Sequence, residues 1–192
     1  MVDKIEIVKK NWAIIVFTIL TLVFSLWYVA YVNLHGGLEY LKNRTIIGEV
    51  GNIFGKLGFF ALAFVYARSV LKIVFHEESF WKRLEPLNIE NFDLRKFSTK
   101  LLIFMNKTHA YFGVMAIVFI FMHCYLTGSY RDNLLLQIVL ALMVIEGISG
   151  FFLKFKYSPN ELRQKSHLVH RQFVIGIMLL IFAAFGHLIL EG

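Results

Sequence analysis

The sequence predicts an all-α integral membrane bundle of about five transmembrane helices, and three observations predict it. Of 192 residues 58% are hydrophobic, including 20 phenylalanines, and the mean hydropathy is +0.64, too apolar for a domain whose surface must face water. The apolar residues gather in five runs, roughly 12–32, 51–75, 108–127, 134–153 and 173–190, each near the roughly 20 residues that a helix needs to cross about 30 Å of hydrocarbon. Charged residues collect between the runs. One membrane domain covering 1–192, embedded in the bilayer of the cell (inner or plasma) membrane, is expected.

The first run, Trp12 to Val32, follows a short charged N-terminus and has no small-residue cleavage site, so it reads as a retained span and not a removed signal peptide. Trp12 at one end and Trp27, Tyr28 and Tyr31 at the other suit the two interfaces. A polar connector with His35, Gly36, Gly37, Lys42 and Arg44 leads to span two. That span carries Gly51, Gly55 and Gly58, small residues that let a helix or a flat macrocycle approach its backbone. Lys56, Arg68 and Lys72 near its ends can snorkel to the interfaces.

The connector 76–107 is basic, with Lys82, Arg83, Arg95, Lys96, Lys100 and Lys107 among five acidic residues. Pro86 interrupts it, and Asn91 or Asp93 is expected to cap a helix running through Phe97, Leu101, Leu102 and Phe104 into span three. It reads as a lipid-surface segment or as a docking surface for an electron-donating partner. A short turn, Gly128 to Asn133, makes spans three and four antiparallel neighbours. Span four holds Glu146, and an ionisable group at membrane depth is expected either to move a proton to or from a quinone or to pack as a hydrogen-bonded group. The connector 154–171 contains Pro159, Lys154, Lys156, Arg163, Lys165 and Arg171, and span five follows.

Lysine and arginine are concentrated in the N-terminus and in the second and fourth connectors, while the first and third hold only Lys42, Arg44 and Arg131. The positive-inside rule then puts the N-terminus in the cytoplasm and the C-terminus outside. This placement accounts for the net charge of +7 through topology and anionic lipid, with no nucleic acid partner. Cys124 is the single cysteine, so an internal disulfide is excluded, and without a C-x-x-C-H stretch any haem is held non-covalently.

Four histidines carry the chemistry. His109 and His123 are fourteen residues apart in span three, close to four turns and about 21 Å along a helix, so both rings leave nearly the same face, with Gly113 and Ala116 between them. His170 and His187 bracket span five. Spans three and five run parallel, so His109 is expected to pair with His170 near the inner surface and His123 with His187 near the outer one. Each pair would bind one haem b through two imidazoles. Such a haem has no open coordination position and suits electron transfer, and the two irons would lie roughly 20 Å apart. The seventeen residues from His170 to His187 turn those rings about 100° apart on a regular helix. Span five is therefore expected to bend, or His170 to precede it, with His167 as the substitute ligand. Lys107, Arg171 and Lys165 near the inner pair and Arg131 near the outer one are candidate propionate contacts, or serve topology and lipid. His35 and His76, each beside a span end, read as surface residues, or as groups that serve near a quinone or a partner's cofactor.

The pattern THAYFGVMAIVFIFMH, with His109, Gly113 and His123, and the stretch HLVHRQF, with His170 and Arg171, resemble the haem-binding membrane domain of the ferric reductase-like superfamily, which includes NADPH oxidases. The resemblance covers roughly 105–190. It implies a di-haem b-type cytochrome, and because the 192 residues show no flavin- or nicotinamide-binding segment, one that works with a redox subunit on the cytoplasmic side or with a membrane quinone. The other readings are a quinone-reactive anchor of a respiratory complex, and a haem-free transporter or assembly protein.

Overall fold

A computed structural model describes residues 4–35, 46–76, 91–128, 130–170 and 173–191. It contains helices α1 (Lys4–Leu34), α2 (Ile46–His76), α3 (Asn91–Thr127), α4 (Leu134–Lys154), α5 (Asn160–His170) and α6 (Phe173–Glu191), with no strand among the described residues. Four segments, Ile14–Leu34, Ile46–Lys72, Lys96–Thr127 and Leu134–Lys154, are each long and apolar enough to cross a membrane. The helices α5 and α6, inclined at 54°, add a fifth when taken as one broken span. The chain is thus a multi-pass helical membrane protein. Large apolar side chains point outward along the spans, among them Phe60 and Tyr111, 72% and 73% exposed, as lipid-facing residues do where lipid replaces water as the solvent.

Three stretches depart from the expected boundaries. Helix α2 begins at Ile46, within the polar connector. Helix α3 is 37 residues long and takes in the end of the basic connector; it continues through Phe97, Leu101 and Phe104 into span three without a break, as the sequence implies. Residues 160–170, expected as connector, form α5. The Pro159 carbonyl accepts from the Arg163 N–H at 3.0 Å, and Glu161 in the first turn with His167 and His170 in the last suit the helix dipole. Its polar composition hid this helix. The side chains of Asn91 and Asp93, the connector 77–90 and Arg171 lie outside the described residues.

By packing, the chain divides into two compact units, Met1–Gly48 with Cys124–Gly192, and Glu49–His123. In the first, α6 packs against α1 and α4, and α5 against α4. Its anchor is Asn133, fully buried. The Asn133 side-chain oxygen accepts from the N–H groups of Leu135 (3.1 Å) and Leu136 (3.3 Å), capping α4, while its amide donates to the Gly186 carbonyl of α6 at 2.8 Å. A Cβ at Gly186 would lie 2.7 Å from Leu136 Cδ2, so α6 sits directly on the start of α4. The Tyr28 hydroxyl accepts from the Leu134 N–H at 3.2 Å, bringing α1 to the same turn. Along α1, Thr18, Thr21 and Ser25 donate to the carbonyls one turn back, at 2.7 to 2.8 Å, which satisfies hydroxyls that lipid would leave bare. Gly128, at φ +66°, takes the left-handed conformation that ends α3.

In the second unit α2 and α3 run antiparallel. Phe54 packs on Phe119 (5.8 Å between centroids), Phe64 stacks on Phe112 (4.0 Å), and the Arg68 Nε donates to Asn106 Oδ1 at 2.5 Å. A Cβ at Gly58 would fall 2.6 Å from Ile120 Cγ1 and 3.2 Å from its backbone nitrogen, so the two backbones nearly touch.

Replacing Asn133 with Ala removes a helix cap and leaves the buried Gly186 carbonyl without its donor. We expect a loss of about 2 kcal/mol, read as a lower midpoint of thermal unfolding in detergent; an unchanged midpoint would contradict the anchoring role.

Candidate functional site

Helix α3 is unbroken from Asn91 to Thr127, so the fourteen-residue interval from His109 to His123 lies wholly on one regular helix and the rings share a face about 21 Å apart along its axis. Both are partly buried. The His123 ring is docked onto α2. Its Nδ1 lies 2.9 Å from the Gly51 carbonyl oxygen, which can only accept, so Nδ1 carries the proton and the lone pair is on Nε2. One turn further along α2, a Cβ at Gly55 would come 2.8 Å from His123 Nδ1 and 3.0 Å from Cε1. Gly51 thus provides an oxygen and Gly55 the space, and helix packing at Gly58 holds both in register.

His170 ends α5 and lies against α4. Its Nδ1 lies 2.9 Å from Glu146 Oε2, with both side chains largely buried, 29% and 17% exposed. One turn beyond Glu146, a Cβ at Gly150 would lie 3.3 Å from His170 Cε1. At both histidines a residue that brings an oxygen near Nδ1 is followed four residues later by a glycine on the neighbouring helix, which puts the two on the face that meets the ring; at His123 the contact is a hydrogen bond, and at His170 it is a close approach only.

His187 lies on α6, exposed, with Nδ1 2.8 Å from the Ala183 carbonyl of its own helix. The seventeen-residue interval from His170 therefore does not run on one helix, and the 100° discrepancy of a regular helix does not arise: His170 precedes the last span proper. Exposed His167 lies one turn earlier on α5. His35 also bonds its Nδ1 to the carbonyl one turn back, Tyr31 O at 2.8 Å, and packs tilted against the Tyr31 ring at 4.2 Å. The contact at His187 is therefore one that a surface histidine also makes, whereas those at His123 and His170 reach a second helix.

Lys107, Lys165 and Arg131 are exposed, and the Arg131 carbonyl accepts from Gln137 Nε2 at 2.7 Å. Among the described residues no group of three or more His, Cys, Asp or Glu side chains gathers as for a metal ion, and a haem iron held by two imidazoles requires none. Three features of the site carry no motif in the sequence: the Gly51 carbonyl at His123, Gly150 beneath His170 and the Glu146–His170 contact. Only the Glu-x-x-x-Gly spacing in span four could have pointed to them.

Gly113, one turn from His109, behaves differently from the other span glycines. A Cβ there would meet no atom of the described residues within 4 Å, so packing among them does not require a glycine at this position.

No protein family, no curated protein and no solved structure matches this chain.

Gly55→Ala and Gly58→Ala should each cost about 1–3 kcal/mol by overpacking the α2–α3 seam, whereas Gly113→Ala should be neutral or stabilising by up to about 1 kcal/mol through helix propensity. Thermal unfolding of the three variants tests the contrast, and equal losses at all three positions would count against it.

Proposed function

We propose that this protein is a b-type cytochrome of the cell membrane, oriented with its N-terminus in the cytoplasm, in which His109, His123, His170 and His187 are the axial ligands of two haems b. The observation that carries this reading is the docking of His123 and His170. The His123 ring gives Nδ1 to a carbonyl oxygen on a neighbouring helix, which leaves the lone pair on Nε2, as a ligating histidine requires, and the His170 ring lies against α4 beside Glu146. The cradle that a Cβ at Gly55 or Gly150 would fill sets the plane of each imidazole. Gly113, which no packing among the described residues demands, leaves a flat stretch of backbone one turn from His109 for a macrocycle edge.

When bound, a bis-imidazole haem changes iron oxidation state by one electron with no open coordination position. The residues of this chain hold the imidazoles in place and keep water away by surrounding them with apolar spans. Lys107, Lys165, Arg131 and Arg171 are the cations available to propionates. Electrons enter from a reduced flavoprotein subunit or a quinol, and Glu146 serves the site through His170.

A dithionite-reduced minus oxidised spectrum of the detergent-purified protein, with a pyridine haemochrome assay, should give two haems b per chain. His123→Ala should remove one haem and leave the other, and Gly113→Leu should lower haem content while the apoprotein unfolds at an unchanged temperature. A colourless protein after haem reconstitution would end this reading and leave a haem-free membrane protein of transporter or assembly-factor type.

A further inference from the structure

The α2–α3 pair holds a charge that no described carboxylate compensates. Arg68 is half-buried, and its Nε donates to Asn106 Oδ1 at 2.5 Å, an uncharged amide oxygen. Among the described side chains of this unit the one carboxylate is Glu49, nineteen residues back on α2 and about 28 Å away along the helix. A guanidinium stays charged at physiological pH, and in a membrane-spanning helix it calls for an anion or water. The bond to Asn106 fixes Nε and leaves the N–H groups of the two Nη nitrogens as a fork that suits two oxygens of a phosphate.

The depth suits the same ligand. Asn106 precedes Thr127, the last residue of α3, by twenty-one residues, about 31 Å by helix rise and close to the full thickness of the hydrocarbon. With Thr127 at one boundary, the Arg68–Asn106 bond lies at the other, beside the lipid headgroups. Arg68 likewise stands four residues inside the end of the apolar segment Ile46–Lys72. Lys72 follows one turn further out on the same face of α2, and Lys100 and Lys107, seven residues apart, share a face of α3; all three are exposed and raise the positive potential there. Asn106 is itself exposed, so the bond is open from the lipid side. Ile103, about one turn away on α3 and 50% exposed, offers apolar surface to an acyl chain.

We propose that Arg68 binds the phosphate of an anionic glycerophospholipid, with Asn106 positioning the guanidinium and Lys72 as a second cation. A free phosphate would meet the same fork, but the apolar surface at Ile103 and the depth of the bond favour a phosphate that carries acyl chains. In the orientation proposed above the lipid belongs to the inner leaflet. The site uses neither histidine nor haem, so it stands or falls apart from the cytochrome reading.

The test is native mass spectrometry of the full-length chain in detergent, titrated with phosphatidylglycerol and with phosphatidylcholine, and with inorganic phosphate as competitor. The wild type should hold one phosphatidylglycerol about tenfold more tightly than phosphatidylcholine, undisturbed by inorganic phosphate. Arg68→Gln should weaken phosphatidylglycerol binding by about tenfold, the worth of one charge-assisted contact, and Arg68→Lys, which keeps the charge and loses the fork, by a smaller factor. Asn106→Asp supplies the missing anion within the chain. It should weaken lipid binding as much as Arg68→Gln does, while raising the midpoint of thermal unfolding in lipid-free detergent. Arg163→Gln on α5 removes the same unit of charge elsewhere and should change binding by less than about twofold. Lys72→Gln, expected to weaken binding by a smaller factor than Arg68→Gln, keeps the test in place where an Arg68 variant fails to fold. Equal losses in Arg163→Gln and Arg68→Gln, undiminished binding in Asn106→Asp, or displacement of the lipid by inorganic phosphate would overturn the proposal.

Discussion

An imidazole at membrane depth must set its N–H on an oxygen, because lipid offers none and an unsatisfied donor costs several kcal/mol, about 4–8 by transfer to hydrocarbon. In a helical bundle almost every backbone oxygen is already committed to the N–H four residues on. A ring can reach a second lone pair, or a side-chain oxygen, only where the neighbouring helix comes very close. That requirement accounts for the glycines. Gly55 and Gly58 let α2 and α3 approach until a Cβ would clash at 2.8 and 2.6 Å, and only then does the Gly51 carbonyl come within 2.9 Å of His123. At His170 the neighbouring helix supplies no backbone oxygen; the Glu146 side chain lies 2.9 Å from Nδ1 without hydrogen-bond geometry, and the hypothetical Cβ at Gly150 is less crowded, 3.3 Å from the ring.

The same scarcity of partners shapes the polar residues elsewhere. Asn133 uses both ends of its amide, the oxygen to cap α4 and the nitrogen to hold the Gly186 carbonyl, so one fully buried side chain satisfies three backbone groups. Thr18, Thr21 and Ser25 bond back into their own helix and ask nothing of a neighbour. Without a hydrophobic drive between helices in lipid, close packing and hydrogen bonds of this kind are what bring spans together.

Much of the fold was legible in the sequence, since the length of an apolar run is set directly by bilayer thickness and needs no knowledge of partners. The runs at 134–153 and 108–127 match α4 and the apolar part of α3 almost residue for residue. Helix α5 was not legible, because Asn160 to His170 carries six charged or polar residues before its first histidine and reads as connector; its helicity follows from its position after Pro159 and from its packing on α4. Of the candidate site, the histidines and the Gly51-x3-Gly55 spacing could be read, as types of residue at recurring distances. The acceptors could not. A backbone carbonyl has no letter, and the meeting of Glu146 with His170 joins residues 24 positions apart through a turn whose geometry no local pattern encodes.

The break between α5 and α6 follows from the same logic. On one continuous helix, His170 and His187 would diverge by about 100°, and a single span could not present both to one partner helix. Ending α5 at His170 and tilting it by 54° from α6 uncouples the two rings, so each is aimed by its own surroundings. His187 then depends on α6, which Asn133 pins to the head of α4. His170 depends on the tail of α4, through Glu146 and Gly150 one turn apart. Helix α4 therefore orders both ends of this histidine pair although it contributes neither histidine.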